Sequence, residues 1–104
     1  MSFRDEVVAA GRKRILFTQH ALEQMNKPER LVTPLEIQQT VFEGQMIEDY
    51  EEDTRGHSCL MLGRGDGGRP IHVVCAAKAD YLAVITAYIP NETEWEENFK
   101  KRKG

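Results

Sequence analysis

Three histidines, His20, His57 and His72, carry most of the proton-transfer chemistry available to this chain near neutral pH. An imidazole titrates at about pH 6.5, so each can donate a proton, accept one or bind a metal. His20 follows Thr18 at the start of an expected helix, His57 opens a strand-like run after Arg55-Gly56, and His72 interrupts the apolar run Pro70-Ile71-His72-Val73-Val74. A metal-free ribonuclease needs a base for the ribose hydroxyl, an acid for the leaving oxygen and cations around the phosphate. His20, His57, His72 and Tyr88 are the catalytic candidates by residue type, and Arg30, Arg55 and Arg69 the candidates for holding a substrate phosphate. Strand alternation places His72 with Val74 and Ala76 on one face and Ile71, Val73 and Cys75 on the other, while Thr86 and Tyr88 share a face of the last strand. His20, at a helix start with backbone donors suited to an anion, can approach the same sheet end, so His20, His72 and Tyr88 form the expected site. The alternative for each histidine is a structural one: an imidazole in an apolar strand costs a few kcal/mol unless a partner satisfies it.

Metal and cofactor motifs are missing from the sequence. There is no His-x-x-x-His and no Glu-x-x-His, and the acidic run Glu48-Asp49-Tyr50-Glu51-Glu52-Asp53 lacks the alternation and central glycine of a calcium loop, so it reads as a solvated turn. Cys59 and Cys75 lie in apolar strands without Cys-x-x-Cys spacing, which predicts buried, reduced, unmetalled thiols. Gly63-Arg64-Gly65-Asp66-Gly67-Gly68 is followed by a strand, not a helix, so it is a turn and not a phosphate loop. No metal and no cofactor is expected.

The elements that position these residues follow from the pattern of the 104-residue chain, expected to fold as one domain over 1–104 with residues 100–104 as a loose basic tail. Helical spacing covers Ser2 to about Lys13, then a helix capped by Thr18 and carrying Ala21, Leu22 and Met25. Thr33-Pro34-Leu35-Glu36 is a capping box with proline at the first helical position, and Gly44 is read as a left-handed terminator of that third helix. Strands are expected near 45–50, 57–64, 69–78 and 81–89, and short turns between them predict an antiparallel meander. Trp95 and Phe99, four residues apart beyond Pro90, predict a short C-terminal helix. The expected fold is thus α+β, with N-terminal helices packed on a four-stranded antiparallel meander and a short C-terminal helix.

Charge narrows the partners. A formal net charge of −3 argues against broad, charge-driven nucleic-acid binding, so an RNA partner would need a local basic patch. The longest apolar runs, such as Tyr81 to Ile89, are about half the roughly 20 residues of a membrane span, and the first residues lack a signal peptide's apolar stretch. A cytoplasmic protein without membrane partners is expected.

Several residues together carry a resemblance: Phe17-Thr18-x-His20-Ala21-x-x-x-Met25, Arg30, Gly44-x-x-Ile47-x-x-Tyr50, Leu60-x-Leu62-Gly63, Pro70-x-His72-Val73-Val74 and Ile85-Thr86-x-Tyr88-x-Pro90 with Trp95. Over roughly residues 15–96 the chain resembles the bacterial domain-of-unknown-function family 4258, grouped by analogy with RelE-like toxins and often encoded beside zinc-finger or helix-turn-helix antitoxin-type proteins. The resemblance implies a RelE-like sheet with helices on one face and a metal-independent, toxin-type ribonuclease acting on RNA and restrained by an antitoxin-like protein. The alternative is a non-catalytic binding or regulatory module that partners a DNA-binding protein. Convergence of His20, His72 and Tyr88 with an arginine in one open groove would favour the enzyme, and burial would favour the module.

Overall fold

The computed structural model describes residues 2–104. Helix α1 (Phe3–Lys13) begins where Ser2 Oγ accepts the Asp5 N–H and the Asp5 carboxylate accepts the Ser2 N–H. Strand β1 (Ile15–Phe17) leads into α2 (Gln19–Met25), whose cap Thr18 accepts the Ala21 N–H at 3.0 Å and donates to the Ile85 carbonyl at 2.9 Å. Helix α3 (Pro34–Glu43) carries the expected capping box of Thr33 and Glu36. Strands β2 (Gln45–Tyr50), β3 (Ser58–Arg64), β4 (Pro70–Ala77) and β5 (Leu82–Tyr88) follow. Gly67 and Gly68, both at positive φ, turn the chain between β3 and β4.

The α+β class stands, but the sheet is five-stranded and mixed, in the order β1-β5-β4-β3-β2, and not a four-stranded antiparallel meander. Strands β2 to β5 are antiparallel neighbours in sequence order, whereas β1 adds a parallel edge through Ile15–Leu82, Leu16–Ala83 and Phe17–Val84. Three residues are too few to show a period, and the partner strand lies at the far end of the chain, so local pattern does not reveal β1.

The expected C-terminal helix does not form. Residues beyond Pro90 make turns, Trp95 pairs with Arg102 in an isolated bridge, and Phe99 sits at φ 58°, a left-handed conformation no α-helix accommodates. Turn and bridge hydrogen bonds, from the Glu96 N–H to the Lys101 carbonyl and from the Lys103 N–H to the Glu94 carbonyl, pair this backbone instead, with Trp95 buried on the sheet. Arg102, placed in the expected loose tail, is held by Glu48.

The core lies between the helices and one sheet face, where Phe3, Val7, Ala21, Met25, Ile37 and Val41 meet Cys59, Met61, Ile71, Val73, Cys75, Leu82 and Val84. The other face carries Leu60, Leu62, His72, Val74, Ala76, Ala83, Thr86 and Tyr88, as the alternation and registers dictate. A bulge at Ile85 in β5 keeps Thr86 opposite Val74 while Val84 stays opposite Cys75.

Two glycines set how closely α3 approaches β3. Gly44 is extended (φ −77°, ψ −179°) and not left-handed as expected; glycine is needed because a Cβ would meet the carbonyl oxygens of Thr40 and, at 2.6 Å, Leu62. A Cβ on Gly63 would strike Thr40, whose Cα lies 2.9 Å from its position. Gly63→Ala should therefore lower stability by roughly 1–3 kcal/mol through overpacking, read as a lower denaturant midpoint at unchanged slope. No helix among the described residues is long and apolar enough to cross a membrane.

Candidate functional site

The structure delivers the three histidines to three separate places. His72, in the middle of β4, is fully buried. Its Nε2 lies 2.8 Å from the Phe99 carbonyl and its Nδ1 3.3 Å from Tyr88 Oη, so the fitting tautomer donates from Nε2 and accepts the tyrosine hydroxyl at Nδ1. Trp95 packs edge-on against the ring with centroids 4.4 Å apart. Burial lowers the His72 pKa, outweighing the Phe99 carbonyl and the Glu48 charge, so the ring is neutral. Burial also raises the Tyr88 pKa. The expected His72–Tyr88 pairing is present, but it is closed over by the C-terminal segment.

Beside this pair, Glu48 binds the C-terminal segment, a strap running from Pro90 onward, to the sheet. It accepts from Arg102 Nε at 3.1 Å and Nη2 at 3.2 Å and from the Tyr50 hydroxyl, and the Arg102 guanidinium lies 4.7 Å over the Trp95 ring. Burial works to raise the Glu48 pKa, but the hydrogen bonds from Arg102 and Tyr50 outweigh it and hold the carboxyl below its usual range. Burial and the neighbouring carboxylate push Tyr50 up to about 12.

His20 lies elsewhere on the same open side of the sheet. With Thr18, Arg55, Ala76, Lys78, Ala83 and Ile85 it lines a groove of about 340 Å³ with an apolar floor and a polar rim. His72 is fully buried and does not line this groove, so His20 and His72 do not meet in one open site. Of the helix-start donors expected at His20, the Ala21 N–H is taken by the Thr18 side chain, and the Leu22 N–H makes the ordinary helical bond to the Thr18 carbonyl. Arg55 reaches the groove as one of the expected cations, but its guanidinium is bidentate to Asp53 at 2.9 and 3.0 Å. Hydrogen bonds from Arg55 and Ser58 hold Asp53 well below the usual carboxylate range. Lys78 donates to the Arg55 carbonyl.

His57 belongs to the helix-covered side. Its ring stacks on Phe3 of α1 with centroids 3.5 Å apart, and Nε2 lies 2.5 Å from Asp49 Oδ1. Asp49, Glu51 and His57 bring three ligand-type atoms within 4.8 Å of one another, the described grouping best able to hold a cation. Sequence spacing did not show it, because the hairpin and not a local repeat brings these residues together.

The two remaining arginine candidates are engaged with the fold. Arg69 donates to both oxygens of Glu36, at 3.1 and 2.6 Å, and to the Leu31 carbonyl. Arg30 donates to the Ile89 carbonyl at 3.3 Å. Lys78, Trp95, Arg102, Glu48 and Tyr50, none of them a site candidate from sequence, complete the open side; Glu48 and Arg102 are 54 positions apart, so no local signal links them.

Residues 17–89 match a protein family described as a domain of unknown function (DUF4258). The chain belongs to this family. The DUF4258 match starts at Phe17 of β1 and ends one residue past β5, so it spans the elements that place His20, His57, His72 and Tyr88, while α1 and the strap from Pro90 onward lie outside it. In this DUF4258 chain the cover over His72 is therefore supplied from beyond the matched region. No curated protein and no solved structure matches the chain.

Proposed function

We propose that this protein is a non-catalytic binding module that docks a partner protein on the open side of its sheet. The observation that supports this reading is the dispersal of the histidines: His72 has both nitrogens engaged and no exposed surface, His57 is committed to Phe3 and Asp49, and His20 shares its groove with no second histidine, carboxylate or tyrosine. Acid–base cleavage of RNA requires two such groups within reach of one phosphate. The groove at His20 instead offers an apolar floor of Ala76, Ala83 and Ile85 under a rim with Lys78, which suits a partner segment carrying an apolar side chain beside an acidic one. A DNA-binding protein encoded alongside, of zinc-finger or helix-turn-helix type, is the partner class proposed.

One observation favours the toxin-type ribonuclease as a second reading: His20, Arg55 and Lys78 do line one groove, where a single base and flanking cations could act on RNA. The same experiment separates the two. Expressed alone and with the product of the neighbouring gene, the protein should bind that product, leave cellular RNA intact and cause no growth arrest. Lys78→Glu should weaken the complex about tenfold or more by calorimetry with an unchanged melting temperature, a plausible size for loss and reversal of a rim charge. RNA cleavage by the wild type that disappears in His20→Ala would overturn the module and establish the ribonuclease.

A further inference from the structure

Cys59 on β3 and Cys75 on β4 are direct partners in the antiparallel register, and their Sγ atoms are 3.9 Å apart. Both are free and fully buried on the helix-covered face. Directly opposed residues of antiparallel strands have Cα atoms about 4.5–5.5 Å apart, inside the span of about 4.4–6.8 Å that a disulfide bridges. The pair therefore needs a side-chain rotation, not a backbone rearrangement, to bond.

We infer that Cys59 and Cys75 are an intrachain modification site, converted by a hydroperoxide into a cross-strand disulfide. Either sulfur can donate the hydrogen bond between them, and the one that accepts it is the attacking thiol; with Cys75 donating, the bond favours the Cys59 thiolate and lowers its pKa. The Arg4 guanidinium favours the thiolate at both positions, and its buried Nη1 has no hydrogen-bond partner among the described residues. The Cys59 thiolate attacks one peroxide oxygen and the O–O bond breaks, leaving Cys59 sulfenic acid and an alcohol, or water when the oxidant is hydrogen peroxide. Cys75 sulfur then attacks the sulfenic sulfur; the S–O bond breaks, the S–S bond forms, and the departing hydroxide takes the Cys75 proton as water. Two thiols and one peroxide become one disulfide, one alcohol and one water. Since both sulfurs are buried, the peroxide enters through local opening of the helix layer, so the reaction is slower than at an exposed thiol.

The test uses the full-length protein purified under reductant, exchanged into buffer without it, and titrated with hydrogen peroxide before denaturation, alkylation and mass spectrometry. Both thiols should disappear together in monomeric chains, with a Cys59–Cys75 linked peptide that dithiothreitol splits. In Cys75→Ser, oxidation should stop at a sulfenic acid on Cys59 that dimedone traps. Two alkylatable thiols surviving excess peroxide, separate sulfinic acids on the two residues, or disulfides only between chains would each overturn the assignment, and the wild-type arm decides even if the variant fails to fold.

Discussion

Replacing Arg69 with alanine should destabilise the protein by roughly 3–5 kcal/mol, because it strands a buried charge. Glu36 is only 2% exposed and takes five donors from three residues: the Thr33 N–H at 3.0 Å and hydroxyl at 3.2 Å, the Asp66 N–H at 2.9 Å, Arg69 Nε and Arg69 Nη2. One carboxylate thereby ties the start of α3 to the turn after β3, and a Cβ on Gly65 would collide with it. Burial by itself would raise the Glu36 pKa, but the hydrogen bonds from Arg69, Thr33 and Asp66 outweigh it and lower the value to about 2. Since the folded value lies below the unfolded one of about 4.3, the unfolded chain binds the extra proton, and stability is fully present above about pH 5 and lost as pH falls toward 2. That contribution is about 3 kcal/mol. Denaturant melts across this range should show the loss in the wild type and a much flatter acid limb in Glu36→Gln; equal limbs would refute the assignment.

The second large effect is at the strap. Trp95→Ala should cost about 3–5 kcal/mol, since it empties the space between the strap and the sheet, where Trp95 is 2% exposed against His72 and under Arg102. His72→Ala should be nearly as damaging, at roughly 2–4 kcal/mol, by leaving the Phe99 carbonyl and Tyr88 hydroxyl unpaired around a cavity. The folded pKa of His72 is depressed by burial, so its contribution is complete above the unfolded value of about 6.5 and declines as pH falls below it toward the folded value. Thermal melts of Trp95→Ala, His72→Ala and wild type between about pH 7.5 and pH 5 test both statements. A His72→Ala protein as stable as wild type, with a partner or RNA activity lost, would instead place His72 in a functional role.

What the sequence made legible was what short-range physics controls. The capping boxes at Ser2 and Thr33, the β3–β4 turn at Gly67-Gly68 and the alternation that buries Val73 and Cys75 under the helices while putting His72 on the opposite face all depend on residues within a few positions of one another. Leu62 and Ile85, apolar residues of strand-like runs, are buried at 6% and 8% exposure, while Val74 is only partly covered. What escaped depends on long-range pairing. Strand β1 gains its identity only from β5, and Trp95 and Phe99, spaced like a helix face, are held against His72 instead of in a helix. At the candidate site, the His72–Tyr88 pairing was readable from strand parity. Its closure was not, because the covering residues come from a segment whose local pattern pointed elsewhere. Arg69 looked like a phosphate-holding cation because its partner, Glu36, lies 33 positions away.

The parallel seam between β1 and β5 also sets an order of assembly. Strands β2 to β5 join through short connections, so each hairpin can close on a microsecond timescale of about 1–10 μs, whereas the Thr18–Ile85 bond that locks the seam spans 67 positions and must wait for that long loop to close. Nearly all of the intervening chain can therefore be structured before the edge strand arrives. The N-terminal helix and β1 should therefore dock late in folding and be among the first elements to peel away, opening the helix layer over the Cys59–Cys75 pair while the central hairpins persist.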